Sequence, residues 1–160
     1  MKKLATIFFT SAFLGCMTMT SFAAQASPEA KAYRESASEI KGELSELNSQ
    51  IKALQKENKI YQAELKAARK AKKEGGSTDE KEDLKKAFEL NKRIKELRVS
   101  LKSSTAGLKS ERTSVKENKK QKNYDEALEA LEAQSAIQKE RLDKLNEIND
   151  IWEEIHAVLN

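Results

Sequence analysis

Residues 33–68 read YRESASEIKGELSELNSQIKALQKENKIYQAELKAA. Within them Tyr33, Ala37, Ile40, Leu44, Leu47, Ile51, Leu54, Asn58, Tyr61, Leu65 and Ala68 recur at alternating steps of four and three. That spacing is a heptad repeat, which keeps one stripe of an α-helix turned toward a partner helix. A helix with one narrow apolar seam has no core of its own, so the rest of the chain has to supply what it packs against.

Working outward, Ser27-Pro28 supplies an N-cap followed by a first-turn proline, and no other proline occurs in the chain. On the other side, Gly75-Gly76 breaks the helix and Ser77-Thr78-Asp79-Glu80 follows in capping-box form. The first helix is therefore expected over 28–73. A second, over 78–117, carries Ala87, Leu90, Ile94, Leu97, Leu101, Ser104, Leu108, Glu111 and Val115 at the same alternation. Its segment Ser103-Ser104-Thr105-Ala106-Gly107 lowers helix propensity by up to about 1 kcal/mol per residue, which predicts bending or fraying. A softer break at 117–123, with Asn123 and Glu126 spaced as cap and N3 acid, opens a third helix over 124–159. Its stripe is polar in the middle, at Gln134, Ser135 and Gln138, and broad at the end, at Ile148, Ile151, Trp152, Ile155, Val158 and Leu159.

Antiparallel neighbours have residue numbers with a nearly constant sum. A turn at Gly75-Gly76 sets that sum near about 152 and pairs Leu44 with Leu108, Ile51 with Leu101, Tyr61 with Leu90 and Leu65 with Ala87. A turn near Lys120 sets it near about 239 and pairs Leu108 with Leu131, Leu97 with Leu142, Ile94 with Leu145 and Ala87 with Trp152. Trp152 then falls beside Ala63, Ala67, Ala68 and Ala71, small residues that leave room for its ring. Residues 98–124 hold eight bases and two acids, while 125–160 hold three bases and ten acids, so folding the third helix onto the second brings opposite fields together. The expected fold is all-α, an antiparallel three-helix bundle of coiled-coil type. The alternative is an elongated two-helix hairpin with the third helix swung out or exchanged between protomers.

The first 26 residues read differently. Lys2 and Lys3 precede an apolar tract, and Ala24-Gln25-Ala26 places small residues at minus three and minus one of a cut between Ala26 and Ser27. This is the pattern of a secretory signal peptide over 1–26, followed by a helical domain over 27–160. Loss of Lys2 and Lys3 takes 30 basic residues to 28 against 26 acids, so the mature net charge is +2, poor ground for a nucleic-acid partner. The one cysteine, Cys16, lies inside this segment. The residues Phe13-Leu14-Gly15-Cys16 resemble a bacterial lipobox, although Phe13 stands where leucine is usual and Leu14 where a small residue is usual. Lipidation of Cys16 is the alternative to its removal, and membrane attachment is expected only through that lipid or an uncleaved signal.

Chemical constellations are sparse. There is no G-x-S-x-G, no H-E-x-x-H, no phosphate-cradling glycine loop and no Cys/His cluster. His156, the sole histidine, has only Glu153 and Glu154 nearby, too few donors for a tetrahedral zinc site. The seam residue Asn58 falls close to Asn91 in the expected pairing, where an amide fixes register at a cost in stability. Gln134, Ser135 and Gln138 are expected level with Ser104 and Thr105, as a polar layer across the bundle. Lys66, Arg69, Lys70, Lys72 and Lys73 end the first helix, and Lys116, Lys119, Lys120 and Lys122 cluster at the opposite end of the bundle. These suit helix C-termini and solvated faces, and no interleaved aromatics favour base stacking.

The functional expectation is an exported, non-enzymatic interaction or structural protein of a bacterial cell envelope, periplasmic or secreted. It would have no cofactor or metal, no catalytic residues and no nucleic acid, and would engage a protein partner or a second copy of itself. Two alternatives stand beside it: a holdase-like extracytoplasmic chaperone, which it resembles in broad architecture only and without the L-T-x-x-Q repeat, and a lipid-anchored envelope spacer held through Cys16.

Overall fold

The computed structural model describes residues 27–73 and 78–159. They form three α-helices and no strand: α1 (Pro28–Lys73), α2 (Thr78–Gln121) and α3 (Tyr124–Leu159). The three pack together as an all-α bundle. The expected signal segment with Cys16 and Ala26, the expected break at Gly75-Gly76 and Ser77 lie outside the described residues.

Local chemistry sets the helix ends. Ser27 caps α1, its hydroxyl accepting from the Ala30 amide at 3.3 Å and its carbonyl from Lys31 at 3.0 Å, and Pro28 occupies the first turn. The second turn comes later than the sequence led us to expect, because α2 runs on to Gln121 instead of stopping near residue 117. It ends in a Schellman motif: Asn123 N–H donates to the Asn118 carbonyl at 2.9 Å and Lys122 N–H to that of Lys119 at 3.3 Å. Lys122 takes the left-handed position, with φ 63°. Asn123 closes the first turn of α3 through its carbonyl, which accepts from Ala127 at 3.1 Å, while its side-chain amide donates to Gln121 Oε1.

The later turn displaces the register. Gly107 meets Ile137, where the constant-sum rule with a turn at Lys120 places Glu132. No break occurs at residues 103–107: α2 continues through them. Ser103, Ser104 and Thr105 turn their hydroxyls back to helix carbonyls at 2.8–3.3 Å. Gly107 lets α3 approach, since a Cβ there would stand 3.3 Å from Ile137 Cδ1.

The central helix is α3. α3 packs along both α1 and α2, whereas α1 and α2 scarcely approach one another. The four α1–α2 pairs expected from the glycine turn are therefore not facing pairs of a tight hairpin; Ile51, Leu65 and Ala87 instead join one core around α3. Nor is α3 swung out. It buries twelve of its 36 residues, far more than α2, whose buried side chains are Ala87, Ile94 and Leu108. The broad apolar end of α3 is the cause, because Ile148, Ile151, Trp152 and Ile155, each at most 2% exposed, form a wedge both other helices can cover. α1 runs parallel to α3, and α2 antiparallel to it.

The core falls into two parts. The larger gathers Ile51 and Leu65 of α1, Ala87 and Ile94 of α2, and α3 from Leu145 to Leu159. The smaller joins Tyr33 and Ala37 to Ala127 and Leu131, with the Tyr33 and Tyr124 ring centroids 5.3 Å apart. Every seam position named for α1 is buried or half-buried, as the heptad pattern requires.

Candidate functional site

Between the two cores lies the expected polar layer, with different partners. Gln134, Ser135 and Gln138 are buried; Ser135 and Gln138 bond to α1 and not to Ser104 and Thr105, while Gln134 donates to the Ala130 carbonyl of its own helix. Ser135 Oγ donates to Glu43 Oε2 at 2.6 Å, and Lys139 Nζ lies 2.6 Å from the other Glu43 oxygen. Gln138 Nε2 donates to Asn48 Oδ1 at 2.7 Å, and Asn48 Nδ2 to the Leu44 carbonyl. The hydrogen bond from Lys139, then that from Ser135, holds the Glu43 carboxyl below its ordinary range. On the α2 side the partner is Arg141, whose Nη1 donates to the Leu101 carbonyl at 2.5 Å and to Ser104 Oγ at 2.6 Å. Burial pushes its guanidinium pKa down. The sequence signalled the polar interruption of α3, but not Glu43, Asn48 or Arg141, which look like ordinary flanking residues of a charged helix.

Asn58 is buried at 5% exposure, but it does not face Asn91 through a hydrogen bond. Its Nδ2 donates to the Leu145 carbonyl of α3 at 3.5 Å, and its Oδ1 has no protein donor. Trp152 is 1% exposed and shares a cleft of about 270 Å³ with Tyr61, Leu65, Ala67 and Ala68; of the other two alanines expected beside it, Ala63 is exposed and the Ala71 side chain lies outside the described ones. Arg98 lies 6.0 Å from the centre of its ring. His156 is exposed, with Nδ1 4.0 Å from Glu64 Oε2 and its ring 6.4 Å from that of Tyr61. Among the described residues no group of His, Cys, Asp and Glu is placed to hold a metal ion, and no helix is long and apolar enough to cross a membrane.

Because α1 and α2 stand apart, a groove runs between them, floored over part of its length by α3. One half is lined by Lys41, Ser45, Ser49 and Lys52 of α1 and Arg112 of α2. The other is lined by Gln55, Asn58, Lys59 and Gln62 of α1 and Arg98 and Leu101 of α2, over Leu145 and Ile148. No acid lines either half. Helical periodicity explains this: Lys41, Lys52, Lys59 and Lys66 recur on one flank of α1, and Glu35, Glu39, Glu46, Glu57 and Glu64 on the other. On α2, Arg98, Lys102, Lys109, Arg112 and Lys116 share one flank, and the opposite one mixes Glu82, Glu89 and Glu96 with Lys85, Lys86, Lys92 and Arg93. Both helices turn their basic flanks to the groove. Among the described residues none of Lys41, Lys52, Lys59, Arg98 and Arg112 has a carboxylate within 4.0 Å. Of the lysines expected to cluster at the helix ends, Lys119 is placed over the Tyr33 ring at 5.8 Å, while the side chains of Lys72 and Lys73 lie outside the described ones. Charge counted along the chain hid the groove; charge counted around each helix reveals it.

No protein-family model matches the chain, and neither the curated proteins nor the solved structures searched gave a match.

Proposed function

We propose that this chain is an exported, non-enzymatic helical interaction protein of a bacterial cell envelope, released from a signal segment between Ala26 and Ser27. The observation that carries the interaction reading is the groove between α1 and α2. Among the described residues five cations there lack carboxylate partners, although residues 27–160 carry 28 bases against 26 acids. A solvated face of a long helix normally mixes both signs, since interspersed pairs add local support. Charge sorted into a concave strip is instead the form of a surface that selects an acidic partner. A holdase would draw on exposed apolar surface. The large exposed apolar side chains among the described residues are Ile60, Phe88 and Val99, and single residues of that kind are ordinary on a protein surface.

The test is photo-crosslinking in cells, with a photoreactive residue at Lys59 in the groove or at Val99, 69% exposed on α2. Protein adducts are expected from position 59 and not from position 99. Equal yields at both, or none from the groove, would overturn the reading. Intact mass of the exported product reports on its N-terminus: a start at Ser27 is expected, whereas a diacylglyceryl group on Cys16 would make the protein a lipid-anchored spacer.

A further inference from the structure

We infer that the groove between α1 and α2 receives the outer face of α3 from a second copy of this chain, in a head-to-tail contact. The inference rests on the interaction reading above and names its partner. α3 forms the floor of the groove with Leu145 and Ile148, so the residues half a helical turn around from these point away from it. That outer face is acidic: Glu129, Glu132, Asp143, Asp150, Glu153 and Glu154 are all exposed. None of the six lies within 4.0 Å of a cation among the described residues. Glu140 and Glu147, nearer the contact with α2, pair with Lys144 and Arg93. Each molecule thus carries a basic groove on one side and an acidic ridge on the other, both without ion-pair partners among the described residues.

The lengths agree. The groove follows α1 from Lys41 to Gln62, about 32 Å at 1.5 Å per residue, and the acidic ridge from Glu129 to Glu154 extends about 38 Å. A helix laid between α1 and α2 also completes a four-helix cross-section, in which every helix has two neighbours. Overall charge favours a second copy over a separate polyanion: the acidic ridge repels a polyanion approaching the molecule, whereas two copies of a nearly neutral, polarised chain attract when oriented head to tail. Since groove and ridge are different surfaces on opposite sides, the contact is heterologous, and association continues beyond the dimer unless the rotation closes a ring. The attraction comes from partly exposed charges, so it weakens as salt shortens the screening length from about 20 Å or more at low ionic strength to less than about 5 Å.

Sedimentation velocity of the protein purified after export tests this, at about 20 mM and about 500 mM NaCl. Species larger than a dimer are expected at low salt, with a loss of affinity of at least about tenfold at high salt. Lys52→Glu/Lys59→Glu in the groove and Asp143→Lys/Asp150→Lys on the ridge alter exposed side chains only, and circular dichroism verifies that both variants fold. Each alone should be monomeric. Mixed together they should associate again, because the intact ridge of one meets the intact groove of the other. A wild-type chain that stays monomeric at low salt overturns the inference, as does association that survives either variant. If the monomeric wild type binds polyphosphate and the groove variant does not, the occupant is a polyanion and the second copy is excluded. A monomeric wild type that still gives groove-specific adducts to another protein in cells overturns self-association alone and leaves the proposed function standing.

Discussion

Glu43 shows how much a single position depends on what is brought to it. Its sequence context, beside the seam residue Leu44, is that of a solvated helix acid, yet α3 gives it both Lys139 and the Ser135 hydroxyl. Its carboxyl is held below the ordinary value of about 4.3, so its contribution to stability is present above that pH and is lost as pH falls through the folded-state value. Urea midpoints of wild type and Glu43→Gln should differ near neutrality and converge below about pH 4; a difference that does not change with pH would refute this. Asn58 is the opposite case, a buried amide legible from the heptad pattern but with a different partner. One long hydrogen bond to Leu145 and an unmatched Oδ1 make it costly, so Asn58→Leu should raise stability by about 1 kcal/mol in urea unfolding. Lower stability would show that Oδ1 is satisfied in solution.

At the scale of the element, helix ends follow local chemistry where that chemistry is strong. Ser27-Pro28 fixes the start of α1 as expected. The α2–α3 turn contains no glycine, so nothing in the sequence marks Lys122 as the left-handed residue, and the end of α2 was expected about one turn early. That difference carries into the register at Gly107 and Ile137. A non-glycine residue in the left-handed region costs roughly 1 kcal/mol, and Lys122→Gly should recover about that much, read as a higher urea midpoint with an unchanged slope. The serine-rich centre of α2 was expected to fray. Its hydroxyls bond back to the helix and Arg141 donates to the Leu101 carbonyl, so small polar residues serve here as a site of close approach.

Across the whole molecule, the arrangement is a central α3 with α1 and α2 laid on it and a groove left between them. Stability should be graded accordingly. Hydrogen exchange should be slowest in α3 between Leu145 and Ile155, where the largest fully buried side chains lie, and fastest in α2, which buries least. Protection greatest along α2 would contradict a central α3. The sequence by itself determined three helices, their seams and most of their ends, because periodicity and capping act within a few residues and do not depend on which partner is met. It also held the segregation of charge around α1 and the basic flank of α2, visible once position is counted in turns. Only the tertiary structure decided which helix lies in the middle and where the basic flanks face. A heptad seam fits any neighbouring seam, and the choice rests on side-chain volume: the wedge of Ile148, Ile151, Trp152 and Ile155 is broad enough to hold two helices on its sides and keep them apart.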